Sequence, residues 1–404
     1  MQQPISKWCV AAAVLALALL AQPALAATCR NTGNFERWLD AFKREAAAKG
    51  VSPQAIAAAS PGMVYDQRII NIDRGQRIVQ QNFLQFSDNM ISKYRLQHGA
   101  ALIKKYALVF AREEREFGVP APVIVAFWGL ESDFGSNMGN YPALKSLATL
   151  AYDCRRPDMF RDHLLGALRL IQRGDLTPAE MIGSWAGEIG QTQFMPSEYM
   201  QFAVDYDGDG RRNLIRSVPD VIGSTGKYLV HLGWRRGEPW LQEVRVPANL
   251  AWDQADLSIQ HPRSQWVRWG VMAAHGKALP ADGLKASLVL PMGRHGPAFL
   301  AYPSFQAYLG WNQSLVYSLT AAYYATRLAG APPVQRGQGP IPSLSAAQMV
   351  ELQRLLVKHG YNVGEVDGKL GLATRSAVRQ AQMKAGLPAD SYPTAELIER
   401  LRSR

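Results

Sequence analysis

From Asn34 to about Ile222, apolar residues recur every three to four positions, the period of helices that bury one face. Phe35, Trp38, Leu39 and Phe42 form one such stripe, which stops at Gly50, and Ser52-Pro53 reads as the cap and first turn of a second helix. Phe117 to Gly135 reads FGVPAPVIVAFWGLESDFG. Pro120 and Pro122 open a helix that is apolar on nearly every side, the pattern of an element buried all round. Within it Ile124, Phe127, Trp128 and Glu131 share one face at i, i+3, i+4 and i+7. Between Trp240 and Phe305 the texture changes to short β-like runs, Leu241 to Val246 and Ala286 to Leu290, separated by Pro and Gly. Helical period returns from Ser314 to Leu328.

Residues 331–343, APPVQRGQGPIPS, hold four prolines and two glycines and read as a semi-rigid linker. The remaining residues, 344–404, suit a small helical domain. Ser345 and Gln348 form a capping box, Met349, Leu352 and Leu356 share a face, and Gly360 stops the helix. Asp367-Gly368 is a turn, and Thr374 and Thr394 are the expected caps of two further helices. The fold class is therefore mainly α (α+β), with a β-containing insertion and a three-helix appendage.

The 404 residues carry a formal charge of +11, which favours an acidic partner without naming one. The amino terminus narrows the choice. Lys7 precedes the apolar run Val10 to Leu20, and Pro23 precedes Ala24-Leu25-Ala26, the layout of a cleaved secretory signal over residues 1–26. The run is too short to span a bilayer, and no later stretch is long and apolar enough to be a transmembrane helix. A periplasmic protein without a lipid anchor is expected, since Thr28 before Cys29 fits a lipid-attachment box poorly. Removing the signal leaves Cys29 and Cys154, which form one disulfide in an oxidising compartment or stay as two buried thiols.

A carboxylate projecting from an apolar stripe is desolvated, which raises its pKa toward that of a working general acid; a core Glu paired with an Arg is the plainer alternative. Asp205 to Arg216, DYDGDGRRNLIR, begins as a calcium loop does, with Asp205, Asp207 and Asp209 at positions one, three and five and Gly210 at six. Position twelve, where a bidentate carboxylate belongs, is Arg216, so an Asx/Gly turn without metal is the expected reading and no cofactor is called for. No GxSxG elbow, HExxH, P-loop or dinucleotide fingerprint is present, and no nucleic-acid-binding motif accompanies the positive charge.

FGVPAPVIVAFWGLESDFG resembles the catalytic-Glu segment of the lytic murein transglycosylases of the MltB type. SWAGEIGQTQFMPS (Ser184 to Ser197) is similar to that family's glycine-rich block, and YDCRR (Tyr152 to Arg156) and the WNQSLVYS stretch follow in family order. The tail resembles the peptidoglycan-binding type 1 domain through LQRLLVKHGY, VDGKLG and TRSAV, although Ala381-Gln382 stands where relatives have an aromatic before the Gln. The resemblance implies a lysozyme-like core over residues 27–330, with Glu131 as acid/base. It implies that Ser184 hydrogen-bonds that carboxylate, that Gln193 positions substrate, and that Arg155 and Arg156 contact it. Asn312 and Tyr317 would form a cleft wall, with Trp311 where relatives have Tyr, a swap that keeps a stacking face but loses a hydroxyl. The implied partner is the peptidoglycan strand. The implied reaction cuts between N-acetylmuramic acid and N-acetylglucosamine and leaves a 1,6-anhydro end. Asp133, two residues along the helix, does not face Glu131, and the role of Glu188 stays open. A lysozyme-type hydrolase and an inactive wall-binding scaffold are the alternatives.

Overall fold

The computed structural model describes residues 33–75, 81–276 and 278–403; the expected signal segment and Cys29 lie outside them. The first aromatic stripe becomes the helix Phe35–Ala48, its start capped by the Asn34 side chain, and Ser52 caps Pro53–Ala59 as its position before Pro53 requires. Among the described residues, eleven α-helices and one short 3-10 helix precede the insertion. The apolar helix spans Ala121–Ser132 and lies in the middle of them, packed on Lys93–Lys105, Ala107–Glu116 and Leu315–Leu328. Val123 to Phe127 have no exposed surface, so each large side chain there contributes about 1.5–3 kcal/mol by leaving water. That burial fixes the helix that carries Glu131.

The insertion is a five-stranded antiparallel sheet in the order His261–Pro262, Lys285–Val289, Ala298–Ala301, Leu241–Arg245, Met272–Ala273. It has a core of its own around Trp266, Leu288 and Leu300, and the buried Trp266 indole donates to the Ala286 carbonyl at 2.9 Å. A second, two-stranded ribbon pairs Tyr141–Pro142 with Ile182–Gly183.

No regular element lies between the helices Leu315–Leu328 and Ala346–Lys358. The carboxy-terminal helices are Ala346–Lys358, Leu372–Ala385 and Ala395–Arg402, with Ser345 and Thr394 acting as caps. Thr374 does not. Its helix starts two residues earlier from Gly371, and the buried Thr374 hydroxyl donates to the Val363 carbonyl and accepts from Gln353. Ala381 and Gln382 are buried, and the Gln382 amide binds Asp390, the Tyr392 carbonyl and the Ser391 N–H, so a polar clasp forms beside the Ala that stands where relatives have an aromatic. This domain docks on the insertion: Arg375 donates to the carbonyls of Leu290 and Pro291 at 3.3 and 2.6 Å. A cavity of about 820 Å³ lies where core, linking segment and tail meet; Tyr317 lines it but Glu131 does not.

Candidate active site

Glu131 sits one residue before the end of the buried helix, still touched by solvent but enclosed by protein on most sides. Burial, opposed by hydrogen bonds from Tyr317 and Trp311 and reinforced by the charge of Glu188, pushes its carboxyl up to about 7. The Tyr317 hydroxyl and the Trp311 indole N–H, the latter at 2.9 Å, both donate to Oε1. Their convergence on one oxygen leaves Oε2 to carry the proton. Trp311 thus replaces the hydroxyl expected of a Tyr with an indole donor. It stacks on Phe127 at 4.3 Å and meets Phe194 edge-on at 5.6 Å.

The chain after Glu131 is held under strain. Asp133 and Phe134 both adopt left-handed φ, at 52° and 61°, conformations that cost a non-glycine residue of order 1–3 kcal/mol each. Arg95 clamps Asp133 at 3.0 Å; Asp133 is the left-handed residue that caps the helix end and not a further helical position. Ser132 donates to the Gln191 carbonyl and accepts from the Gly135 N–H. The second residue of the Glu-Ser pair therefore bolts helix to loop.

That loop is the glycine-rich block. Trp128 donates to the Gln191 side chain at 2.8 Å, and Gln191 donates in turn to the Ile215 carbonyl. Gln191 escaped the sequence reading; its only signal was a polar residue inside an otherwise buried glycine-rich run. Gly183 must be glycine because a Cβ would lie 1.8 Å from the Glu188 carbonyl oxygen. Gln193, at φ 51°, spends both amide hydrogens on the carbonyls of Gly190 and Met138, so only its oxygen remains to accept from a ligand.

Ser184 departs from expectation. Its hydroxyl donates to Glu188 at 2.7 Å and not to Glu131, because this chain brings a second carboxyl into the cleft four residues on. Arg155 and Arg156 lie together on the surface, and both pair with the buried Asp73, at 2.9 and 2.5 Å. Asn312 accepts from the Ser314 N–H at the start of the helix Leu315–Leu328 and takes the Ser318 hydroxyl on its carbonyl, so it fixes the helix bearing Tyr317. Cys154 is disulfide-bonded; Cys29 is outside the described residues.

In the Asp205 loop the three carboxylates lie within 4.8 Å of one another. Asp205 accepts from the Gly208 and Gly210 N–H groups, Asp207 from Ser217, and Asp209 from Arg211. Arg216 reaches Glu180 at 3.8 Å, and the buried Asp220 accepts the N–H groups of Tyr206 and Asn213. The loop is thus laced by its own hydrogen bonds, with Arg216 and not a carboxylate at position twelve.

A helical core that holds a largely buried carboxyl, Glu131, against the aromatic side chains of Trp311 and Tyr317 is the arrangement of a lysozyme-like glycan-cleaving fold. The transglycosylase SLT domain matches residues 34–326, and the chain belongs to that family of lytic transglycosylases. The peptidoglycan binding domain family matches residues 345–401. The membrane-bound lytic murein transglycosylase B of Escherichia coli K12 is 36% identical over 168 residues, which is 41% of this chain and 45% of that protein; the match therefore spans less than half of that relative. The crystal structure of SltB3 from Pseudomonas aeruginosa in complex with NAG-anhNAM-pentapeptide superposes with a TM-score of 0.84 at 40% identity, covering 92% of this chain and 100% of that one. The Escherichia coli lytic transglycosylase Slt35 in complex with calcium gives 0.62 at 26% identity, over 72% and 92% of the two chains.

Proposed function

We propose that this protein cleaves the β-1,4 bond between N-acetylmuramic acid and N-acetylglucosamine in peptidoglycan and leaves 1,6-anhydro ends, with Glu131 as the single acid/base. The observation that carries the reading is a buried carboxyl whose two protein donors occupy Oε1 alone. In the first step Oε2 gives its proton to the glycosidic oxygen as the bond to C1 breaks. The positive charge building at C1 is opposed by the new carboxylate and by the substrate's own N-acetyl oxygen. In the second step the carboxylate takes the proton from the C6 hydroxyl, whose oxygen bonds to C1. Water takes no part, and Glu131 ends protonated as it began. A water-adding enzyme with two carboxylates needs a second one free to activate water; Glu188 is held by Ser184.

Gln193, Asn312, Tyr317 and the exposed faces of Arg155 and Arg156 are proposed to seat the strand, and the carboxy-terminal domain to hold it near the cleft. Export to the periplasm is part of the proposal, supported by the disulfide at Cys154 and the residue 1–26 pattern. No helix among the described residues is long and apolar enough to cross a membrane. The Asp205 loop is assigned a structural role, with no step routed through a metal. Glu131→Gln keeps size and loses the proton donor; a loss of about 10²–10⁴-fold in turnover of purified peptidoglycan is expected. Full activity in that variant would remove Glu131 from the chemistry.

A further inference from the structure

Three residues in succession after the acid helix, Asp133, Phe134 and Gly135, adopt left-handed φ, at 52°, 61° and 87°. Only the glycine does so freely. The turn closes the helix: the Asp133 N–H donates to the Gly129 carbonyl and the Phe134 N–H to that of Trp128, both at 3.2 Å. Glu131 precedes it directly, so the course of this turn sets where the acid stands. Phe134 is kept in place by packing. Its buried ring meets Trp128 edge-on at 5.8 Å and lies over Gly129, where a Cβ would come within 2.8 Å of it. Gly135 donates its N–H to the Ser132 hydroxyl at 2.8 Å. The Asp133 side chain is 34% exposed and is held by Arg95, whose Nε donates to it at 3.0 Å.

Arg95 lies on the helix Lys93–Lys105 with only 18% of its side chain exposed. Its Nη1 donates to the Met90 carbonyl at 2.8 Å, which orients the planar fork toward Asp133. Its own carbonyl accepts from the Tyr324 hydroxyl at 2.7 Å. Tyr324 and Tyr317 share the helix Leu315–Leu328, about two turns apart on one face. One residue thus joins the end of the acid helix to the helix whose phenol donates to Glu131. Burial and the Glu131 charge raise the Tyr317 phenol, and the Arg95 cation opposes them, so the guanidinium stands within electrostatic reach of that bond.

We propose that Arg95 is a positioning residue for the cleavage: by holding Asp133 in its left-handed turn, it fixes where the Glu131 carboxyl stands against Tyr317. This rests on Glu131 being the acid.

Steady-state turnover of soluble peptidoglycan strands by Arg95→Met tests it, since that variant keeps an apolar stem and loses the guanidinium. The kcat is expected to fall about tenfold with KM within about twofold of wild type, because the acid is misplaced while the strand's contacts remain. Adding Asp133→Gly should bring kcat back to about a third of wild type or better, because glycine takes the left-handed turn without a clamp. Adding Asp133→Ala should recover nothing. An unchanged kcat in Arg95→Met, a change in KM alone, or equal outcomes for the Gly and Ala double variants would overturn the proposal. Should Arg95→Met lose its cooperative unfolding transition, the single variants carry the comparison: kcat of Asp133→Ala should lie about tenfold below that of Asp133→Gly, and equal values refute the idea. Glu131→Gln separates the two claims. Its retention of activity defeats the acid assignment, whereas its inactivity beside a wild-type kcat in Arg95→Met defeats only the positioning role.

Discussion

Tyr317 and Glu188 act on Glu131 with opposite signs. The phenol donates to Oε1 and so favours the carboxylate, which makes Tyr317→Phe a direct probe of that bond. Without that donor the Glu131 carboxyl rises further, and the descending limb of the pH profile is expected to move toward alkali by several tenths of a unit, with a loss of roughly tenfold at the optimum from poorer orientation. A limb that moves toward acid would contradict the hydrogen bond's assigned sense. At this scale the local pattern showed Glu131 only as a carboxyl on an apolar helix face; its role as acid/base came from the resemblance of the segments around it. The partners of Ser184 were not, because its hydroxyl chooses between two carboxyls that only the folded loop brings into reach. The indole donor at Trp311 was similarly hidden: stacking can be read from a residue's type, but the direction of its N–H cannot.

The packing of Ala107–Glu116 against Val218–His231 traps a second unusual acid. Glu113 is fully buried, neither of its oxygens has a hydrogen-bond partner, and the Val119 N–H approaches without reaching hydrogen-bond geometry. Gly226 opposite must lack a side chain, since a Cβ would lie 2.1 Å from Oε1. Burial, helped by the neighbouring Glu114, pushes Glu113 up to about 9. Its folded value exceeds the unfolded one, so its contribution is fully present below about 4.5 and is lost as pH rises through about 9. Glu131 adds a loss of the same sign, ending near 7. Unfolding free energy from urea melts should therefore fall from pH 5 to 8, and Glu113→Gln should flatten that fall by about 3 kcal/mol. Equal slopes in the two proteins would show that Glu113 is not protonated in the native state. Element boundaries were mostly legible because caps and prolines are local signals; Thr374 misled because the same hydroxyl can cap a helix or bridge two buried segments, and Gln353 was near enough to claim it.

Across the whole molecule, the order of parts was readable from changes in hydrophobic period and from the proline-rich stretch. How the tail sits on the rest was not. Its contacts join Arg375 to carbonyls at 290 and 291, Arg379 to the Asp253 carbonyl at 2.9 Å, and Asp390 to Arg294 at 3.5 Å, pairs separated by tens of residues and set by tertiary packing alone. The overall charge of +11 favours long-range attraction to an anionic polymer, whereas the proton chemistry is assigned to the single carboxyl of Glu131. What sets the proposed reaction apart is the fate of C1 after the bond breaks. Mass spectrometry of peptidoglycan digested by the wild-type protein decides it: closure by the sugar's own C6 hydroxyl predicts muropeptides lighter by one water than the corresponding reducing-end products, whereas reducing ends would contradict the single-carboxylate mechanism and establish a hydrolase.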